Sequence, residues 1–151
     1  SVTKASYTIT IYVASNDKIY YVEGLPKYDD PSCLKQTTWG KNGIRKVLQT
    51  HVTEDNTQPV LQVMKAKAEL DLKKDQMTEA EYNAELSKIK GGTINGEKIQ
   101  TMTVIIKATD ASTYKNVVDA LDEMQICSIN KYVLDKINDQ DKKLLEEKGV
   151  K

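Results

Sequence analysis

Apolar and polar residues alternate near the start of the chain. In "SYTITIYVAS", Tyr7, Ile9, Ile11 and Val13 fall on one side and Thr8, Thr10 and Tyr12 on the other. Successive side chains of a strand point to opposite faces, so this segment predicts a half-buried β-strand, favoured by its β-branched and aromatic content. "SNDK" supplies turn residues, and "IYYVEG" predicts a second strand ending at Gly24, which completes a hairpin. From Pro26 to Trp39 the succession of Pro26, Asp29, Asp30, Pro31 and Ser32 predicts a loop.

The period then changes from that of a strand to that of a helix. Ile44, Val47, Leu48 and Val52 in "NGIRKVLQTHV" predict a short amphipathic helix. Pro59 suits the first turn of a second helix, along one face of which lie Leu61, Met64, Ala68 and Leu72. "TEAE" is a capping-box pattern, with Thr78 as N-cap and Glu81 three residues on; it opens a third helix carrying Tyr82, Leu86 and Ile89, and Gly91 and Gly92 stop it. Residues 53–98 are charged, helix-prone and thin in large apolar side chains, so they read as an elaboration on the surface.

The strongest local pattern runs from Thr101 to Leu134, "TMTVIIKATDASTYKNVVDALDEMQICSINKYVL". "TMTVIIKA" is nearly continuous in apolar residues, as expected of a strand covered on both faces or lying at a sheet centre. Ser112 or Thr113 caps a helix with Tyr114, Val117, Val118, Leu121 and Met124 on one side and Lys115, Asp119, Asp122 and Glu123 on the other. "SINKYVLDKI" returns as a strand, and such a crossover is parallel and right-handed. The expected fold is therefore one α+β domain over residues 1–137. It combines a small mixed β-sheet with amphipathic helices packed on one face, an N-terminal β-hairpin, a C-terminal strand-helix-strand unit and an extra helical insertion at about 53–98. Residues 138–151, "NDQDKKLLEEKGVK", read as a charged tail, either a frayed helix or disordered.

Composition narrows the function more than the fold. With 22 basic and 22 acidic residues the net charge is zero, so no global field draws in nucleic acid or anionic lipid, and a nucleic-acid partner is not expected. The 39% hydrophobic content supports a core. No window is long and apolar enough to span a membrane, and the first 20 residues lack the layout of a signal peptide. The chain begins with Ser1, which suggests a processed protein or a piece of a longer one. Cys33 and Cys127 have no metal-ligand spacing; they are either two ordinary thiols or one long-range disulfide, which requires an oxidising compartment.

Candidate chemistry is sparse. His51 is the single histidine, read as a surface residue at the border of a short helix, and a lone imidazole does not make a metal site. "GKNG" lacks the glycine spacing and the Ser or Thr of a phosphate loop, and "NDQDKK" and "TEDNTQ" lack the Gly and Glu of a calcium loop. The carboxylate pairs Asp29 with Asp30, Asp119 with Glu123 and Asp122 with Glu123 fall on loops or a polar helix face, where solvation explains them. No catalytic residue, metal or cofactor is expected, and the chain reads as no enzyme.

The segment "TVIIKATDASTYKNVVDALDEMQICSINKYVL", with Lys107, Ala108, Tyr114, Val117, Val118, Leu121, Asp122 and Met124 at the characteristic places, resembles the C-terminal half of the ExbD/TolR family; "TITIYVASNDKIYYVEG" resembles the family's opening strands. Two departures stand out. Thr109 occupies the place of the family's usual first Asp, although Asp110 follows directly, and residues 53–98 exceed the family's usual connection. The family's N-terminal membrane helix with its proton-linked Asp is not in this sequence. The resemblance implies the periplasmic domain of a single-pass bacterial inner-membrane protein, working as a homodimer. It further implies an ExbB/TolQ-like channel protein joined through the membrane helix, and a TonB- or TolA-like partner in energy transduction driven by the proton motive force. A TolR-like module binding peptidoglycan is the alternative. An extended partner segment can add to an exposed sheet edge. The last strand is the candidate edge, with Ile129, Tyr132, Val133 and Leu134 as contacts.

Overall fold

The computed structural model describes residues 4–151; residues 1–3 of the expected domain lie outside the described residues. Strand β1 (Thr8–Val13) pairs antiparallel with β2 (Ile19–Glu23), and the turn between them places Asn16 and Asp17 at positive φ. The hairpin stands as expected, but the stretch that follows is not all loop. Lys35–Thr37 forms β3, antiparallel to β2, and Asp30 caps the turn before it by accepting from the Ser32 N–H.

Three helices come next: α1 (Ile44–Thr50), α2 (Pro59–Asp71) and α3 (Glu79–Lys90). Gly43 starts α1 where no side chain fits, since a Cβ there would lie 2.1 Å from the Thr38 carbonyl oxygen. Helix α2 buries a different stripe from the expected one. Val60, Val63, Ala66 and Leu70 turn inward while Leu72 is 85% exposed. Two apolar stripes of the same period run side by side on this helix, and packing against α1 and α3 selects between them. Helix α3 carries the full capping box of Thr78 and Glu81. A hairpin of β4 (Thr93–Ile94) and β5 (Glu97–Lys98) follows, turning on Asn95 and Gly96, both at positive φ as a tight two-residue hairpin requires. The insertion is not purely superficial, because Val60 joins the main core.

Strand β6 (Thr103–Ala108), helix α4 (Tyr114–Ile126) and strand β7 (Lys131–Asp135) form the expected strand-helix-strand unit, with β6 and β7 parallel. The sheet order is β3-β2-β1-β6-β7, so β1 and β6 pair in parallel at its centre and β7 ends one side. Helix α4 keeps most of the expected stripe, with Met124 buried and Val117 and Leu121 packed against the main core, and departs from it at its first residue. Tyr114 is 83% exposed, while Asn116, Ala120, Glu123 and Met124 face inward.

On one face of the sheet, Ile9, Ile11, Val104 and Ile106 pack with Ile44 and Leu48 of α1, Val60 of α2 and Met124 of α4. Burying each such side chain contributes about 1.5–3 kcal/mol. That outweighs the cost of a buried hydroxyl left without a partner, such as that of Thr10, at about 1–3 kcal/mol each. The other face is also covered. Tyr12, Tyr20, Val22 and Leu34 pack there with Leu145 and Val150, brought over by helix α5 (Asp139–Glu147). The expectation of a frayed or disordered tail is thus overturned, and helices lie on both faces of the α+β sheet. Asn138 closes a capping box with Asp141, and Leu144 and Leu145 are buried. For the same reason β1 is buried at all six positions instead of at alternate ones.

The two thiols lie in different layers, Cys127 in the first core and Cys33 beside the second, and both are free. Burial, with the Glu123 carboxylate nearby, pushes the Cys127 thiol up to about 12, so it is unreactive. Alkylation of the native protein is expected to modify Cys33 alone. Denaturation without reductant should bring a second adduct by mass spectrometry, whereas a disulfide would give none.

Candidate functional site

Strand β7 owes its place to the end of α4. The helix begins with a reciprocal cap in which Thr113 and Asn116 bond each other's backbone N–H groups, and it stops at Cys127. Ser128 then takes positive φ, and the Ile129 N–H donates to the Met124 carbonyl at 2.9 Å. Ile129 is buried in the main core, so it anchors the strand and is not free to contact a partner. Beyond it the chain runs parallel to β6, with Val104 opposite Tyr132, Ile105 opposite Val133 and Ile106 opposite Leu134. Tyr132, Val133 and Leu134 are 43%, 51% and 56% exposed. All five residues of β7 are exposed, since the helices stop short of this edge. The opposite edge, β3, has three residues and carries Lys35. Short edges bearing charge resist pairing, whereas β7 offers a longer row of backbone donors and acceptors, with Tyr132, Val133 and Leu134 between the terminal Lys131 and Asp135.

Behind this edge lies a buried polar cluster. Lys107 of β6 donates to Asp141 Oδ2 at 2.6 Å, and Tyr12 and Tyr28 donate to Oδ1 at 2.7 and 3.1 Å. The Asn138 N–H also donates to Oδ2 at 3.0 Å. Burial is the largest influence on the Asp141 carboxyl and pushes it up. The Asn138 N–H, the Lys107 ammonium and the Tyr12 hydroxyl together still hold it below the usual carboxylate range. Burial and the same carboxylate push the Tyr12 hydroxyl up, so it stays protonated as a donor. Asp141 sits in the segment that the charge pattern assigns to solvent, and only the Asn138 capping signal marks it beforehand.

At the carboxyl ends of β6 and β7 a cleft of about 710 Å³ opens between the loop after β6, Asp135–Ile137 and α5. Thr109, at the position of departure noted in the sequence, lines it. Its N–H donates to the Val13 carbonyl, while its hydroxyl is buried without a partner. Asp110 is exposed on the same wall.

The other candidate groups serve the fold. Glu123, expected on the polar face, is buried and takes both Arg45 Nε and Nη2 at 2.9 and 3.0 Å, tying α1 to α4. Asp119 accepts from Lys115 at 2.8 Å. His51 is not a surface residue. It is buried, with Nε2 at 2.6 Å from the Ser6 carbonyl and Nδ1 at 3.5 Å from a Glu23 carboxylate oxygen. The bends that close the helix layer over the start of β1 bring it there, and periodicity gives no sign of it. Asp30 caps a turn. Among the described residues no three His, Cys, Asp or Glu side chains group to hold a metal ion.

The description "Biopolymer transport protein ExbD/TolR" belongs to the family profile that matches residues 3–136. The chain belongs to the ExbD/TolR family. No curated protein and no solved structure matches it. The match spans the sheet from β1 to β7 and the inserted helices, and it stops before α5. Members of the ExbD/TolR family serve biopolymer transport without enzymatic chemistry, as inner-membrane-anchored proteins with a periplasmic domain. Among the described residues no helix is long and apolar enough to cross a membrane.

Proposed function

We propose that this ExbD/TolR domain is the periplasmic part of a proton-motive-force-driven complex of the ExbB-ExbD-TonB type, powering TonB-dependent nutrient transport across the outer membrane. It works as a homodimer beside an ExbB/TolQ-like channel protein and docks an extended segment of a TonB-like partner on the free edge of β7. The observation that carries this reading is the exposed five-residue edge with Tyr132, Val133 and Leu134 standing clear of both helix layers. Main-chain hydrogen bonds supply affinity there, and alternate side chains fix the register. Tyr132 and Leu134 share the face of the main core, while Val133 shares that of α5, so a docked strand meets apolar contacts on both sides.

The double substitution Val133→Lys with Leu134→Lys is expected to weaken binding of a TonB-like periplasmic peptide by at least about tenfold through lost apolar contact. Because both side chains are already half exposed, stability should stay within about 1 kcal/mol. Backbone amide shifts and thermal melts measure the two effects. Wild-type protein that sediments with purified sacculi and shows no peptide shifts would reverse the order, in favour of a TolR-like peptidoglycan-binding module.

A further inference from the structure

Strand β7 does not end at open solvent. Asp135, its last residue, is also the first of the Asp135–Ile137 wall of the cleft, so a segment lying along the β7 edge continues into that space. The floor is apolar, formed by Ile137, Leu145 and Val150. Around it stand Asp110, Asp135 and Glu146 together with Lys136, Lys142 and Lys151. None of these six side chains forms an ion pair among the described residues, although other surface pairs such as Lys4 with Asp55 and Lys67 with Asp71 do close. Charges of both signs therefore line an apolar floor without pairing with one another, beside the unpartnered Thr109 hydroxyl. A ligand of one sign would meet as much repulsion as attraction there. One carrying both signs around an aliphatic residue would satisfy the rim and bury its apolar part.

We infer that the cleft is a second recognition site for the same extended partner: a peptide in which an aliphatic residue lies between a basic and an acidic one, continuing from the strand paired with β7. This rests on the edge-docking reading and adds what selects the partner. Pairing at the edge reads mainly backbone, whereas the cleft reads side chains and so discriminates among extended segments.

The test titrates the isotope-labelled chain with overlapping peptides tiling the periplasmic part of a TonB-like protein. A length of about twelve residues covers both β7 and the cleft at roughly 3.3 Å per residue. The tightest peptides are expected to carry the mixed-charge aliphatic motif and to shift the amides of Tyr132–Leu134 together with those of Thr109, Ile137 and Glu146. Exchanging the exposed α5 charges, Lys142→Glu with Glu146→Lys, should weaken those peptides by about tenfold and leave motif-free peptides unchanged. Shifts that stop at β7, with affinity indifferent to the exchange, would overturn the cleft's role and leave edge docking standing. Shifts in the cleft without shifts on β7 would overturn edge docking and leave the cleft as a site. No shifts in either place would overturn both.

Discussion

Replacing Asp141 with alanine is expected to cost about 3–5 kcal/mol of stability, because it leaves the Lys107 ammonium buried without its counter-charge. The loss also strips the acceptor from Tyr12, Tyr28 and the Asn138 N–H, which breaks one half of the α5 cap. Removing both charges together, as Lys107→Met with Asp141→Leu, should recover a large part of that loss. A buried pair's desolvation cost nearly offsets its attraction, so the penalty of the single change is mainly the stranded charge. Urea unfolding of the two variants separates these effects; equal losses would show that the cluster contributes through packing alone. The cluster also sets an acid limit. Asp141 is held below its ordinary value in the folded state, so its contribution is present above the unfolded carboxylate pKa of about 3.9 and is lost as pH falls through the lower folded value. The melting temperature should therefore fall steeply below about pH 4, and Asp141→Asn should flatten that fall.

Truncation after Ile137 is expected to abolish cooperative folding. It removes the partner of Lys107 and uncovers the face made by Tyr12, Tyr20, Val22 and Leu34. Leu144→Ala probes the packing of the same helix more gently. The side chain is fully buried, and its loss should cost about 2–5 kcal/mol in denaturant unfolding. Were residues 138–151 a solvated tail, both changes would be silent.

The contrast between these outcomes and the charge pattern shows which features a sequence displays. The hairpin, the capping box at Thr78, a cap at Ser112 or Thr113 (Thr113 in the structure) and the crossover from β6 through α4 to β7 are legible because each depends on short-range spacing. Strand β3 has no pattern of its own; "KQT" becomes a strand because β2 offers it an edge. Helix α5 has two apolar residues among nine, too few for an evident stripe, yet Leu144 and Leu145 suffice once Asp141 is tied to Lys107 and Tyr12 on the sheet face that the helix covers. The β4–β5 hairpin is not among the expectations, because its Asn95-Gly96 signal lies within a charged stretch that reads as helix-prone. At the candidate site, the last strand of the sequence pattern has no later strand to cover it, and the sheet order leaves it at the edge with Tyr132, Val133 and Leu134. Ile129 belongs to the core because of the bend at Ser128, and the cleft needs four separate segments, so neither follows from local spacing.

The central pairing of the sheet joins Thr8 to Thr103 and Val13 to Ala108, across the whole inserted helical stretch. Helix α3 and the hairpins can gather from neighbouring residues, but β1 and β6 must meet by closing a long loop, whose entropy is lost before their contacts form. Refolding should therefore be limited by that encounter and not by helix formation. During synthesis the amino-terminal hairpin emerges without its central neighbour until residue 108 has followed, an interval in which its apolar side has no covering strand.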